Sequence, residues 1–192
     1  LKNLKFKNST IMLMSGKKKL SISIPLSNEI LDFSSNLMIE LDKKFSINFI
    51  KNKSARKHIN LFSGEILNSN LLMLNNYLSK NVLIKKKFQV KILGFGAFIG
   101  PFSTIFLRFN KSENFDLIRK ILFDSSKYWL KISNTTPDDV WLPKSTVIYK
   151  DMDNTKFSEV IKYLNTLTIP SYMYIEEIMR IEITDKDEIE IL

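Results

Sequence analysis

Two kinds of apolar spacing alternate along this chain of 192 residues, and that alternation restricts the fold more than any single residue does. Lys19 to Pro25, KLSISIP, is apolar at every second position and ends in proline, which reads as a strand. From Ser27 to Phe45 the interval changes. Ile30, Leu31, Phe33, Leu37, Met38 and Leu41 recur at helical spacing, with Ser27 as N-cap and Asn28 and Glu29 in the first turn. His58 to Ile66 returns to period two, with Ile59, Leu61 and Ser63 facing away from His58, Asn60 and Phe62. Asn68 to Ser79 is a second amphipathic helix through Leu71, Leu72, Leu74 and Leu78.

The second half repeats the theme. Phe88 to Phe98, FQVKILGFGAF, starts as a strand and meets Gly94 and Gly96, which mark a bend or a close backbone approach. Thr104 to Phe109 is a short strand, Phe115 to Leu130 a third helix, and Asn134 to Asp139 a loop. Val140 to Tyr149 is a strand interrupted early by Pro143, Phe157 to Leu167 a fourth helix, and Met173 to Thr184 a closing strand. No linker rich in Pro, Gly or Ser separates the halves. The expectation is an α+β fold of two lobes, each a small antiparallel sheet backed by helices, around a central cleft. Residues 1–18 stand as an N-terminal extension to one bilobal unit over 19–192. Hydrophobic residues make up 44% of the chain, with 14 Phe, 6 Tyr and 2 Trp, enough for a packed interior.

Composition also narrows the chemistry. The absence of cysteine excludes disulfides, thiol nucleophiles and cysteine-based zinc sites. With one histidine and no acidic cluster at metal-ligand spacing, a metal-free, cofactor-free mechanism is expected. The formal charge of +9 is uneven: Lys17 to Lys19, Lys51, Lys53, Arg56, Lys57 and Lys85 to Lys87 crowd the first 90 residues, and the chain from Glu176 onward is acidic. A polyanionic partner such as RNA or a nucleotide suits that asymmetry, and so does an ordinary solvated face. No apolar run approaches the roughly 20 residues that span a bilayer, and Ile11 to Met14 is too short for a signal-peptide core. A cytoplasmic location without membrane association is therefore expected.

Two short stretches carry the functional signal. In 58-HINL-61 and 144-KSTV-147 a functional residue is followed by any residue, a small polar residue and an aliphatic. Residues two apart on a strand share a face, so His58 projects with Asn60, and Lys144 with Thr146. The two copies lie 86 residues apart (144 minus 58), enough for one in each lobe and both over one cleft.

These stretches resemble the paired H-x-[T/S]-aliphatic motifs of the 2H phosphoesterases, the family of 2'-5' RNA ligases and RNA 2',3'-cyclic phosphodiesterases. In that family the second motif commonly follows an aromatic, one residue and a proline, as in 141-WLPKSTV-147 here. The segments 20-LSISIPLSNEI-30, VKILGFGAFIGP and 175-IEEIMRIEIT-184 are similar to the family's first strand, its glycine-rich strand and its last strand. The resemblance runs from about Lys18 to Leu192, in the family's order. It implies metal-free cleavage or formation of phosphodiesters, with one histidine accepting a proton, the other protonating the leaving oxygen, and hydroxyls holding phosphate.

Two departures bear on the chemistry: Lys144 stands where the family has its second histidine, and Asn60 where it has Thr or Ser. Two imidazoles suit the task because each titrates near neutrality. A lysine, charged at pH 7, is a good electrostatic clamp and a poor acid unless burial lowers its pKa. Asn60 still offers an amide N–H to a phosphate oxygen. Three readings stay open: a phosphodiesterase with His58 as base and Lys144 as acid or clamp, a binder of RNA ends or nucleotides without turnover, and an interaction module. Further candidates are Thr146 for phosphate, Arg56 with Lys57 for a nucleic-acid backbone, Phe62 and Trp141 for base stacking against an alternative role in the core, and Tyr149. Gly94 and Gly96 lack the third glycine and helix of a dinucleotide site.

Overall fold

A computed structural model describes residues 16–55, 57–81, 87–101, 103–134, 137, 140–184 and 187–191. The first expected segments form as read: β1 (Lys17–Pro25), α1 (Asn28–Phe45), β2 (His58–Leu67), α2 (Asn68–Asn81), β3 (Phe88–Phe98) and β4 (Thr104–Phe109). They are followed by α3 (Glu113–Ser126), β5 (Leu130–Asn134), β6 (Lys144–Ile148), α4 (Phe157–Leu164), β7 (Tyr172–Ile175), β8 (Met179–Ile183) and β9 (Glu188–Ile191). Ser27 takes the N-cap position of α1, although its hydroxyl makes no capping bond. At α3 the cap is Ser112, whose hydroxyl accepts from the Phe115 amide.

The strands form two antiparallel sheets, ordered β5-β2-β1-β8-β9 and β6-β4-β3-β7. The expected bilobal α+β architecture is what the chain adopts. One continuous core runs through both lobes, joining Leu20, Ile22 and Leu61 of the first sheet to Val90, Ile105 and Ile175 of the second. At the centre of the first sheet β1 is buried on both faces. Leu20, Ile22 and Ile24 enter the core, and Ser21 and Ser23 hydrogen-bond to each other on the opposite side.

The lobes are not the two halves of the sequence. The expected closing strand over Met173–Thr184 is two strands in different sheets: β7 pairs with β3, Glu176 to Ile178 carry the chain across, and β8 pairs with β1. Two strands, β5 and β9, were absent from the pattern reading. Each is a short edge strand, of five and four residues, whose alternation (Leu130 and Ile132, Ile189 and Ile191) the reading passed over. The third helix ends at Ser126, not Leu130, and gives way to β5. The strand expected from Val140 begins only at Lys144, because Pro143 has no N–H to give to the ladder. The glycines of β3 divide the two roles expected of them. Gly94 bends the strand at φ 99°, while Gly96 lies so close to the Phe106 ring that a Cβ would sit 2.6 Å from it. Of the N-terminal extension, residues 1–15 lie outside the described residues. No helix among the described residues is long and apolar enough to cross a membrane.

Candidate active site

The two motif strands meet. β2 lies inside the first sheet, β6 forms an edge of the second, and the two pack against each other where the lobes join. Both begin on their motif residue, β2 at His58 and β6 at Lys144.

Each strand also carries a bulge, at equivalent points. Against β1, Asn60 pairs with Ser23 and Phe62 with Ile22, so Leu61 is the extra residue. Against β4, Thr146 pairs with Phe106 and Ile148 with Ile105, so Val147 is the extra residue. In both strands the bulge falls on the aliphatic fourth position, directly after the paired polar residues. Bulges re-aim neighbouring side chains and gather beside functional sites. Here the same device ends the face-sharing pattern at the same place in each lobe.

A bulge leaves backbone groups without ladder partners, and a buried one must find them elsewhere. The Leu61 carbonyl accepts a 3.2 Å hydrogen bond from Nε of Arg119, a residue of α3 that is 4% exposed. The Arg119 guanidinium lies 4.9 Å from the centroid of the Trp141 ring. Burial lowers the Arg119 pKa, and Asp116 partly opposes this. Arg119 thus joins α3, the bulge of the first motif and the aromatic that precedes the second.

A cleft of about 340 Å3 opens over the junction, and His58, Asn60, Lys144, Thr146 and Tyr149 all line it. Asn60 donates from Nδ2 to Ser63 Oγ at 3.1 Å, leaving its second amide hydrogen for another partner. The Lys144 ammonium sits 5.8 Å and 5.9 Å from the ring centroids of Phe98 and Phe106. Burial lowers the Lys144 pKa. Lys57 also lines the cleft and donates to the Ile50 carbonyl at 2.7 Å. Burial lowers its pKa, while Glu188 and Asp187 act in the opposite direction. Among the described residues, no group of three or more His, Asp or Glu is arranged to hold a metal ion.

Phe62 and Trp141, read as either stacking or core residues, belong to the core. Phe62 is 2% exposed and packs edge-on against Phe123, because the bulge at Leu61 turns it away from the face of His58 and Asn60. Trp141 is 7% exposed, held between Phe115 and the Arg119 guanidinium. Arg56 lies outside the described residues. The motif reading missed Phe98, half exposed at the cleft, and Thr104, Lys53 and Glu188, which also line it. Phe98 alone had a sequence signal, as the aromatic two positions beyond the Gly94–Gly96 pair.

No family model matches the chain, and no curated protein matches it in sequence. Solved structures do match in shape. Escherichia coli LigT, solved in complex with 3'-AMP, superposes with a TM-score of 0.58 at 12% identity, covering 92% of this chain and 95% of LigT. Usb1 of Kluyveromyces marxianus gives a TM-score of 0.45 at 12% identity over 88% of this chain and 94% of Usb1. With LigT matched along nearly its whole length, this chain has the bilobal α+β fold of LigT.

Proposed function

We propose that the protein is a metal-independent phosphodiesterase acting on RNA 2',3'-cyclic phosphate ends or small cyclic or 2'-5'-linked nucleotides. The observation that carries this reading is the convergence of His58-x-Asn60 and Lys144-x-Thr146 on one cleft, each pair presented just ahead of a matching bulge. LigT binding 3'-AMP supports a ligand of nucleotide size.

In the proposed reaction His58 takes a proton from water as its oxygen attacks phosphorus. The new P–O bond forms as the bond to one ribose oxygen breaks, and that oxygen takes up a proton. Lys144 faces the leaving oxygen as a cation that stabilises its developing charge and can protonate it. Burial supports the proton-donating role, because it moves the lysine pKa down toward neutrality. Thr146 and the free amide hydrogen of Asn60 hold the non-bridging oxygens. A second reading, a binder of phosphate ends without turnover, draws on the same cleft and on the loss of the second histidine at Lys144.

The test is hydrolysis of a nucleoside 2',3'-cyclic monophosphate, and of a short RNA ending in a cyclic phosphate, with EDTA present. Wild type is compared with His58→Ala and Lys144→Ala after circular dichroism confirms folding. The expected result is turnover that drops by about 10² or more in each variant. No turnover with retained micromolar binding would establish the second reading, and neither turnover nor binding would refute both.

A further inference from the structure

Beyond the cleft, one rim carries a cluster of rings and cations that the proposed chemistry does not use. Phe49, in the loop between α1 and β2, meets Tyr149 at the end of β6 edge-on, with ring centroids 6.0 Å apart. Three cation contacts surround the pair. The Lys53 ammonium lies 4.8 Å from the Phe49 centroid, and that of Lys150 lies 5.4 Å from Phe49 and 5.3 Å from Tyr149.

The cluster is held in place from both lobes. Asp151 accepts hydrogen bonds from the backbone amides of Asn48 and Phe49, each at 2.6 Å, tying the loop of one lobe to the chain leaving the other. Lys150 adopts a left-handed backbone at φ 73°, which a side-chain-bearing residue rarely does and which often accompanies functional sites. Lys53 and Tyr149 also line the cleft, so rim and cleft are continuous.

Tyr149 is exposed and Phe49 half-buried, and accessible rings interleaved with cations are the chemistry of single-stranded nucleic acid binding. Bases stack on the rings, and the cations take the phosphates without regard to sequence. A chain whose terminal phosphate sits between His58 and Lys144 must leave over some edge, and this rim supplies both kinds of contact beside it. We infer that Phe49, Tyr149, Lys53 and Lys150 form a subsite for the nucleotide preceding the terminal one, making the protein selective for RNA strands over mononucleotides. The inference rests on the proposed function of the cleft.

The test compares equilibrium binding of 3'-AMP with that of a three-residue oligoadenylate bearing a 3'-phosphate, neither of which is consumed. Wild type should bind the trinucleotide about tenfold more tightly or better, the range of one base stack, with a steeper salt dependence. In Phe49→Ala and in Lys150→Gln that preference should fall toward one. Lys150→Gln changes a surface side chain only, so it reads the subsite even if Phe49→Ala folds poorly. Equal wild-type affinities, or a preference that both variants retain, would overturn the subsite and leave the cleft reading intact. Binding of neither ligand would overturn the cleft reading and the subsite together.

Discussion

Lys144→Met separates what the cleft does for function from what it costs the fold. The side chains have similar length and apolar stem, so the change removes a charge and little volume. In the wild type that charge rests over Phe98 and Phe106 at 5.8 Å and 5.9 Å, and burial lowers its pKa. The cation–π attraction it forfeits is about 0.5–2 kcal/mol, and a thioether against the same rings returns about 0.3–1.5 kcal/mol. Those contributions nearly cancel, which leaves the relief of a half-buried ammonium that forms no ion pair among the described residues. The variant is expected to be more stable than wild type by on the order of 1 kcal/mol at pH 7, the scale of other function-costing stabilisations. For a chain of this size that raises Tm by about 2–4 °C.

The sign of the pH dependence follows from linkage. Lys144 has a folded-state pKa below its unfolded one, so between the two values the unfolded chain binds more protons. Its penalty is fully present below the folded pKa and fades as pH rises toward the ordinary lysine value. The stability gap between variant and wild type should therefore close over that window. Denaturant unfolding at a series of pH values reads the gap directly. Calorimetry with a nucleotide ligand should show affinity falling about 10- to 150-fold, the worth of a hydrogen bond to a charged group. A variant less stable than wild type at pH 7, or a gap constant up to pH 10.5, would refute the picture of Lys144 as a desolvated cation.

Two structural substitutions test the supports of the site. Gly64→Ala places a Cβ 2.6 Å from the Lys131 carbonyl and 2.9 Å from the Ile132 Cα, forcing β5 off β2. A loss of about 2 kcal/mol is expected, seen as a Tm lower by about 4–8 °C; an unchanged melting curve would show that β5 yields freely. Asp151→Ala strands the amides of Asn48 and Phe49 in a partly buried loop, with a loss of about 1–2 kcal/mol. Hydrogen exchange at those two amides should speed up by tenfold or more on the same account, and unchanged exchange would mean that the clamp does not hold the loop.

How much of this was legible depended on the range over which each signal acts. His58, Asn60, Lys144 and Thr146 were readable because period-two geometry is local: two residues apart means one face, whatever the rest of the chain does. Phe62 was misread by the same rule. The rule fails at a bulge, and nothing within HINLF announces that Leu61 will drop out of register. That register depends on β1, more than thirty residues away (62 minus 22 is 40), and on a carbonyl partner supplied by Arg119 from α3. Trp141 was ambiguous for a related reason. Its neighbour in space is again Arg119, which sequence spacing does not connect to it. Glu188 reaches the cleft only because β9 returns beside β8, a pairing that the spacing within β9 does not announce.

Arg119 links the two motif strands although they sit in different sheets. A charged side chain 4% exposed is costly unless each of its contacts offsets part of the desolvation. Its Nε satisfies the carbonyl that the first bulge exposes, and its planar face covers the indole just ahead of the second motif. The cation thus ties the shape of one motif strand to the approach of the other. In the proposed reaction pair geometry matters more than pair identity: a lysine can act as clamp or acid only if held at the right distance from His58. The matching bulges at Leu61 and Val147 keep that presentation symmetric although the residues presented differ.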